Sequence, residues 1–191
     1  MKPILFNTEE VRALLDGRKT VTRRVVKPQP NGTFDQHWGG FYQDNEWVLL
    51  KQPYRPGDIL YVRETWAESS DWYEDNYPGY EYKADYPNSD GWGWRPSIHM
   101  PREAARIFLR VTDVRVERLQ DVDGRGILAE GVDNGSSNPS MGKRFENMQR
   151  MAFENLWDST IKPADRERYG WAANPWVWVI EFERCDKPEE G

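Results

Sequence analysis

Thiols and imidazoles are what this sequence has least of. Its 191 residues include one cysteine, Cys185, and two histidines, His37 and His99. A lone cysteine excludes an internal disulfide and fits a reducing compartment. Two histidines and one cysteine so dispersed do not make a zinc site by spacing. No apolar run approaches the length needed to cross a bilayer. Ile4-Leu5-Phe6 is too short an apolar stretch for a signal peptide. No glycine-rich phosphate cradle is present. Net positive charge is missing too: 26 Lys and Arg stand against 32 Asp and Glu, a formal charge of -6. That balance argues against a general binder of phosphate backbones. The expectation is a soluble cytoplasmic protein without cofactor or metal, not bound to a membrane.

The hydrophobic fraction is 38%, and ten tryptophans carry much of it. A chain of this size can bury a core without staples, and suits one domain with an insertion. The charges are unevenly spread. Arg12, Arg18, Lys19, Arg23, Arg24 and Lys27 face only Asp16 between positions 12 and 27. Arg102, Arg106, Arg110, Arg115 and Arg118 add a second basic stretch. Between Glu64 and Asp90 the sign reverses, with Glu64, Glu68, Asp71, Glu74, Asp75, Glu81, Asp85 and Asp90 against Lys83 alone. Such polarity can focus an anionic ligand at one place.

The patterning predicts many short strands and few helices. Pro3 to Phe6 reads as a strand, followed by a helix over Glu9 to Asp16 with Thr8 as N-cap and Gly17 just past its end. Beta-branched residues from Thr20 to Val26 favour a strand. Asn31 to Gln52 reads as a loop or hairpin with a strand at Trp47 to Leu50. Strands are expected at Ile59 to Glu64 and Ile107 to Val116, and a helix from Asp121 to Glu130. Phe145, Met148, Ala152, Leu156 and Trp157 have the spacing of an amphipathic helix over Arg144 to Asp158. Trp176 to Arg184 closes the chain as a strand with Trp176, Trp178, Ile180 and Phe182 on one face. An aromatic, acidic insertion occupies residues 67–93, and a charged tail follows residue 185. The implied architecture is α+β: a small, mostly antiparallel β-barrel with peripheral helices in a single domain over residues 1–185.

One stretch stands out. Gly17-Arg18-Lys19-Thr20-Val21-Thr22-Arg23-Arg24 packs four cations and two hydroxyls into eight residues without a carboxylate. Together with Pro56-Gly57-Asp58 before a strand and Ala129-Glu130-Gly131 later, this resembles the ASCH family. Arg63-Glu64-Thr65-Trp66, Trp94 to Pro101 and Asn174-Pro175-Trp176-Val177-Trp178 resemble a longer form common in phages and prophages. The resemblance covers most of the chain apart from about residues 31–52 and 68–93. It implies a PUA-like barrel and a nucleoside or single-stranded RNA partner. Some family members are amidohydrolases that remove the acetyl group of N4-acetylcytidine; others have been described as ribonucleases or linked to RNA binding. Carried over position by position, the implied catalytic set is Lys19, Thr22 and Glu130, with Arg24 nearby. Arg18, Thr20, Arg63, Glu64, Trp66 and Arg95 complete the candidate substrate contacts. A non-catalytic nucleotide-binding module and a ribonuclease are the alternatives.

Amide hydrolysis needs a hydroxyl, a base, an oxyanion stabiliser and a proton for the leaving nitrogen. Thr22 is a poor nucleophile unaided. Lys19 serves as base only when neutral, which burial and the neighbouring arginines favour and Glu130 opposes. Glu130 can instead shuttle a proton to the leaving nitrogen. In a regular strand Thr20, Thr22 and Arg24 point one way and Lys19, Val21 and Arg23 the other. Lys19 and Thr22 therefore meet only if Lys19 lies in the turn after the helix. Tyr61, Trp66 and Trp94 are candidate stacking platforms for a base.

Overall fold

The computed structural model describes residues 1–31, 33–35, 40–43, 46–69, 79–89, 93–132 and 143–189. In chain order the first half contributes β1 (Lys2–Leu5), α1 (Thr8–Leu15), β2 (Val21–Val25), β3 (Thr33–Asp35), β4 (Gly40–Gln43), β5 (Glu46–Leu49), β6 (Ile59–Arg63), β7 (Trp66–Glu68) and β8 (Tyr80–Tyr82). The second half contributes β9 (Phe108–Arg118), α2 (Gly124–Ala129), α3 (Lys143–Thr160), α4 (Arg166–Tyr169) and β10 (Trp176–Cys185). The molecule is α+β. Among the described residues no helix is long and apolar enough to cross a membrane.

The principal sheet has the order β1-β6-β9-β10-β2. Only β1 and β6 run parallel; the other three pairings are antiparallel. The long β9–β10 ribbon is its spine. Its register shifts between Glu181 and Phe182, a bulge that bends the ribbon. As expected from alternation, Trp178, Ile180 and Phe182 enter one core with Phe6, Leu60 and Leu109, with Trp176 packed against it. Val177 and Val179 enter a second core with Ile127, Phe153 and Trp157. The sheet is thus covered on both faces.

The expected closed barrel does not form. The sheet stops at β1 on one edge and β2 on the other. The two edges approach through side chains rather than through a ladder. Arg24 Nη2, from β2, donates to the Leu5 carbonyl of β1 at 2.8 Å. The Tyr54 hydroxyl donates to the Pro3 carbonyl of the same strand at 2.8 Å. Carbonyls occupied in this way cannot take a further strand, so the edge is protected instead of closed.

Local differences have equally plain causes. The N-cap of α1 is Asn7 rather than Thr8, because Asn7 and Glu10 satisfy each other's backbone N–H groups in a capping box, both at 2.9 Å. The helix expected from Asp121 begins later. A 3-10 turn covers Leu119–Asp121, and Asp123 caps α2 by accepting from Gly126 N at 2.7 Å. The buried stripe of α3 is Gln149, Phe153 and Trp157, while Met148 is exposed. Residues 31–52 contribute β3, β4 and β5 to an antiparallel three-stranded sheet rather than one hairpin. Of the 67–93 insertion, β7 and β8 pair as a hairpin, and Tyr80 and Tyr82 pack against a third core with Trp66, Met100 and Phe108. Positions 70–78 and 90–92 of that expectation lie outside the described residues.

Candidate functional site

The turn after α1 builds the site. Gly17 adopts φ +72, which a side chain would resist, and lets the Arg18 and Lys19 N–H groups both donate to Ala13 O, at 2.8 and 3.0 Å. Lys19 thereby leaves the helix ahead of the regular strand and makes an isolated antiparallel bridge with Glu130. Thr20 N then donates to Ala129 O at 2.8 Å. Two segments 111 residues apart are zipped together just where the motif's charge lies.

Lys19 is 3% exposed and its ammonium donates to Glu130 Oε2 at 2.7 Å and to the Glu130 carbonyl at 3.0 Å. Glu10 Oε1 lies 3.6 Å away on α1. The other Glu130 oxygen accepts from Arg23 Nη1 at 3.1 Å. Arg23 also donates from Nε and Nη2 to Glu117 Oε1, at 3.1 and 2.8 Å. Arg115 Nε stands 3.6 Å from the second Glu117 oxygen. The result is an alternating chain of charge, Glu10–Lys19–Glu130–Arg23–Glu117–Arg115, running from α1 to β9. Its three central members, Lys19, Glu130 and Arg23, are buried.

Strand alternation divides β2. Val21 belongs to the core beneath α2 and α3, and Arg23 reaches the Phe153 ring on that side. Arg24 lies over the Phe6 ring of the opposite core, 5.4 Å from its centroid. Lys19 escapes the alternation because it precedes the strand. Its ammonium also stands 5.4 Å from the Phe6 centroid. The turn position required for Lys19 to share a side with Arg24 is therefore the one it holds.

Thr22, between them in sequence, pairs with Ile180 across the ladder and is 1% exposed. Its hydroxyl has no hydrogen-bond partner. Lys19 therefore does not donate to it; the ammonium is taken up by the Glu130 carboxylate and carbonyl. Burying a hydroxyl without a partner is unfavourable by about 1–3 kcal/mol. Within the motif it is the one side chain whose polar atom is buried and unspent.

The remaining sequence candidates engage other partners. Arg18 is exposed, bound to Asp16 and to the Gly131 carbonyl. Thr20 is exposed at the rim of a cleft of about 470 Å³ that Arg23, Glu117, Asp123 and Arg125 also line. Arg63 donates to the carbonyls of Met100 and Ile98, latching the 3-10 turn at Ser97–His99. Trp66 is 3% exposed, in the core with Met100 and Phe108, and Arg95 lies over its ring at 5.1 Å while pairing with Glu68. Glu64, 1% exposed, is gripped by Arg106 through bonds of 2.9 and 3.0 Å. Arg106 also holds Asp85 and stacks 3.9 Å from the Tyr82 centroid.

Several pKa values follow from these surroundings. Burial pushes the Glu64 carboxyl above the ordinary carboxylate range, with Arg106 opposing. Burial likewise pushes Tyr82 up to about 12. Tyr54 is raised by burial, and the nearby Arg24 charge pulls against that.

Arg23, Glu10, Glu117 and Phe6 were not legible as site residues. The signal at Arg23 was an arginine set between β-branched residues on a strand, where a solvated charge and a buried one look alike. Among the described residues no three His, Cys, Asp or Glu side chains are grouped to hold a metal ion. No protein-family model, curated protein or solved structure matches the chain.

Proposed function

We propose that the chain is a hydrolase acting on a modified nucleoside, most concretely one that removes the acetyl group from N4-acetylcytidine. The observation carrying this reading is the buried, unpartnered Thr22 hydroxyl on the strand that follows the Lys19–Glu130 contact of 2.7 Å. The likeness of the Gly17 to Arg24 stretch, Pro56-Gly57-Asp58 and Ala129-Glu130-Gly131 to the ASCH family supports it. A substrate carbonyl or water would give that hydroxyl the partner it lacks.

In the proposed reaction Thr22 Oγ1 attacks the acetyl carbon. Its proton passes to the Lys19–Glu130 pair and from there to N4 as the C–N bond breaks, releasing cytidine. Water then cleaves the acetyl-threonine ester, yielding acetate and restoring the hydroxyl. Arg24, beside Phe6, is the candidate to steady the tetrahedral oxyanion. Thr22 is 1% exposed, so a substrate reaches it only as the side chains around it move aside.

The test is direct. The purified chain is incubated with N4-acetylcytidine and the mixture resolved by chromatography. Equal amounts of cytidine and acetate are expected, with Thr22→Val abolishing both. An inert wild type overturns the proposal.

A further inference from the structure

Arg23 takes no part in the reaction written above, yet several parts of the molecule converge on it. It is 4% exposed, and its guanidinium stands 5.9 Å from the Phe153 centroid in the second core. Nε and Nη2 donate to Glu117 Oε1 at 3.1 and 2.8 Å, and Nη1 donates to Glu130 Oε1 at 3.1 Å. The guanidinium passes α2 where Gly126 has no side chain. A Cβ at Gly126 would lie 3.0 Å from Arg23 Nη2. Glycine weakens a helix relative to alanine, so this berth comes with a local loss of helix stability. Nor is a buried ion network an effective source of stability, because apolar side chains of similar volume often serve as well or better. Such an arrangement points to orientation of a group rather than to holding the fold.

The group oriented is the Glu130 carboxylate, whose terminal bond has only a broad, two-fold torsional preference of its own. Lys19 is a point donor and fixes one oxygen, Oε2, at 2.7 Å. Arg23 fixes the other. Its planar fork is clamped in turn by Glu117, whose second oxygen has Arg115 Nε 3.6 Å away. Orientation therefore passes from β9 through Arg23 to the carboxylate. Arg23 does this from the far face of β2: Thr22 pairs with Ile180 of the first core, while Arg23 lies with Phe153 in the second.

We infer that Arg23 is a positioning residue of the proposed hydrolase. It locks the plane of the Glu130 carboxylate, so that Oε2 stays on Lys19 while the proton of Thr22 travels to N4. The inference rests on the hydrolase reading of this site and adds a residue that the family motif does not assign. The fork matters as much as the charge. A lysine keeps the charge but cannot span Glu117 and Glu130 with a rigid plane. Arg23 also lines the cleft of about 470 Å³ at whose rim Thr20 lies. A small planar cation in solution can therefore reach the space that truncation of Arg23 leaves.

The test measures kcat and KM for N4-acetylcytidine on the wild type, Arg23→Lys and Arg23→Ala, with and without millimolar guanidinium chloride. Arg23→Ala should lose about 100-fold in kcat at unchanged KM, the loss that a group displaced by about an ångström brings. Arg23→Lys should lose about tenfold in kcat, again at unchanged KM. Guanidinium should restore part of the Arg23→Ala rate and leave Thr22→Val inactive. A purely structural role predicts the reverse, because guanidinium weakens a destabilised fold further. Circular dichroism separates loss of fold from loss of rate, and if Arg23→Ala does not fold, the kcat of Arg23→Lys decides. A folded Arg23→Lys with the wild-type kcat overturns this inference and leaves the hydrolase reading standing. So does a folded Arg23→Ala whose lost rate guanidinium fails to restore, or a variant altered in KM alone. An inert wild type overturns the hydrolase reading, and this inference falls with it.

Discussion

Glu130 sits at the carbonyl end of α2, where a carboxylate faces the negative pole of the helix. It is stable there because Lys19 and Arg23 approach it from two sides. Glu130→Ala would leave two buried cations without their shared partner, and should cost about 3–5 kcal/mol in chemical denaturation. A loss under 1 kcal/mol would mean that Glu10 and Glu117 suffice to hold those cations. Thr22 is the opposite case. Its hydroxyl contributes no hydrogen bond, so Thr22→Val keeps the shape and removes a buried polar atom. The folded state should gain stability, on the order of 1 kcal/mol, while the proposed activity disappears. A lowered thermal midpoint would show that the hydroxyl is satisfied in solution.

At the scale of elements, the site depends on how α1 and α2 end. Gly131 adopts φ +80, and a Cβ there would lie 2.6 Å from Ala13 Cβ and 3.0 Å from Lys19 Cβ. The close approach of α2's end to α1 and Lys19 therefore requires glycine twice over, for backbone and for space. Gly131→Ala should destabilise the fold by more than 1 kcal/mol and shift the Lys19 and Glu130 backbone amides in an NMR spectrum. Unchanged amide positions would show that the two helix ends are not held by this contact. Much of this level was readable in advance. Glycines at 17 and 131, the acidic first turn of α1 and the alternation in β10 are local patterns. The stripe of α3 differs from the expected one because its neighbours are distant in sequence: Phe153 and Trp157 join Trp171 and the sheet residues Val177 and Val179 in the second core, Gln149 is buried near Gly124 of α2, and Met148 is exposed.

Across the whole molecule, Arg106 ties β6 to the turn after β8. It grips Glu64 and Asp85 at once and stacks on Tyr82. The sign of the pH dependence follows from Glu64. Its folded pKa is raised, so the folded state binds this proton more tightly than the unfolded chain. Unfolding free energy from this residue therefore increases as pH falls through the raised pKa toward the ordinary carboxylate range. Glu64→Gln removes that slope. The stability difference between wild type and Glu64→Gln should grow toward acid, measured by denaturant titration in steps from pH 7 to pH 4. A constant difference would place the Glu64 pKa at its unfolded value.

The sequence by itself determined what depends on near neighbours: the α+β character, most strands, the glycines that follow α1 and α2 and the charge density of the Gly17 to Arg24 stretch. Propensity, periodicity and turn chemistry act over a few residues, so they survive without knowledge of the fold. Tertiary structure alone decided that Glu130 meets Lys19, that Arg23 is buried, that Glu64 is buried against Arg106 and that Trp66 enters a third core. It also decided that the sheet stays open. Those outcomes depend on which surfaces the chain brings back together across tens of residues, and on the carbonyls of β1 being taken by Arg24 and Tyr54 before a further strand can reach them.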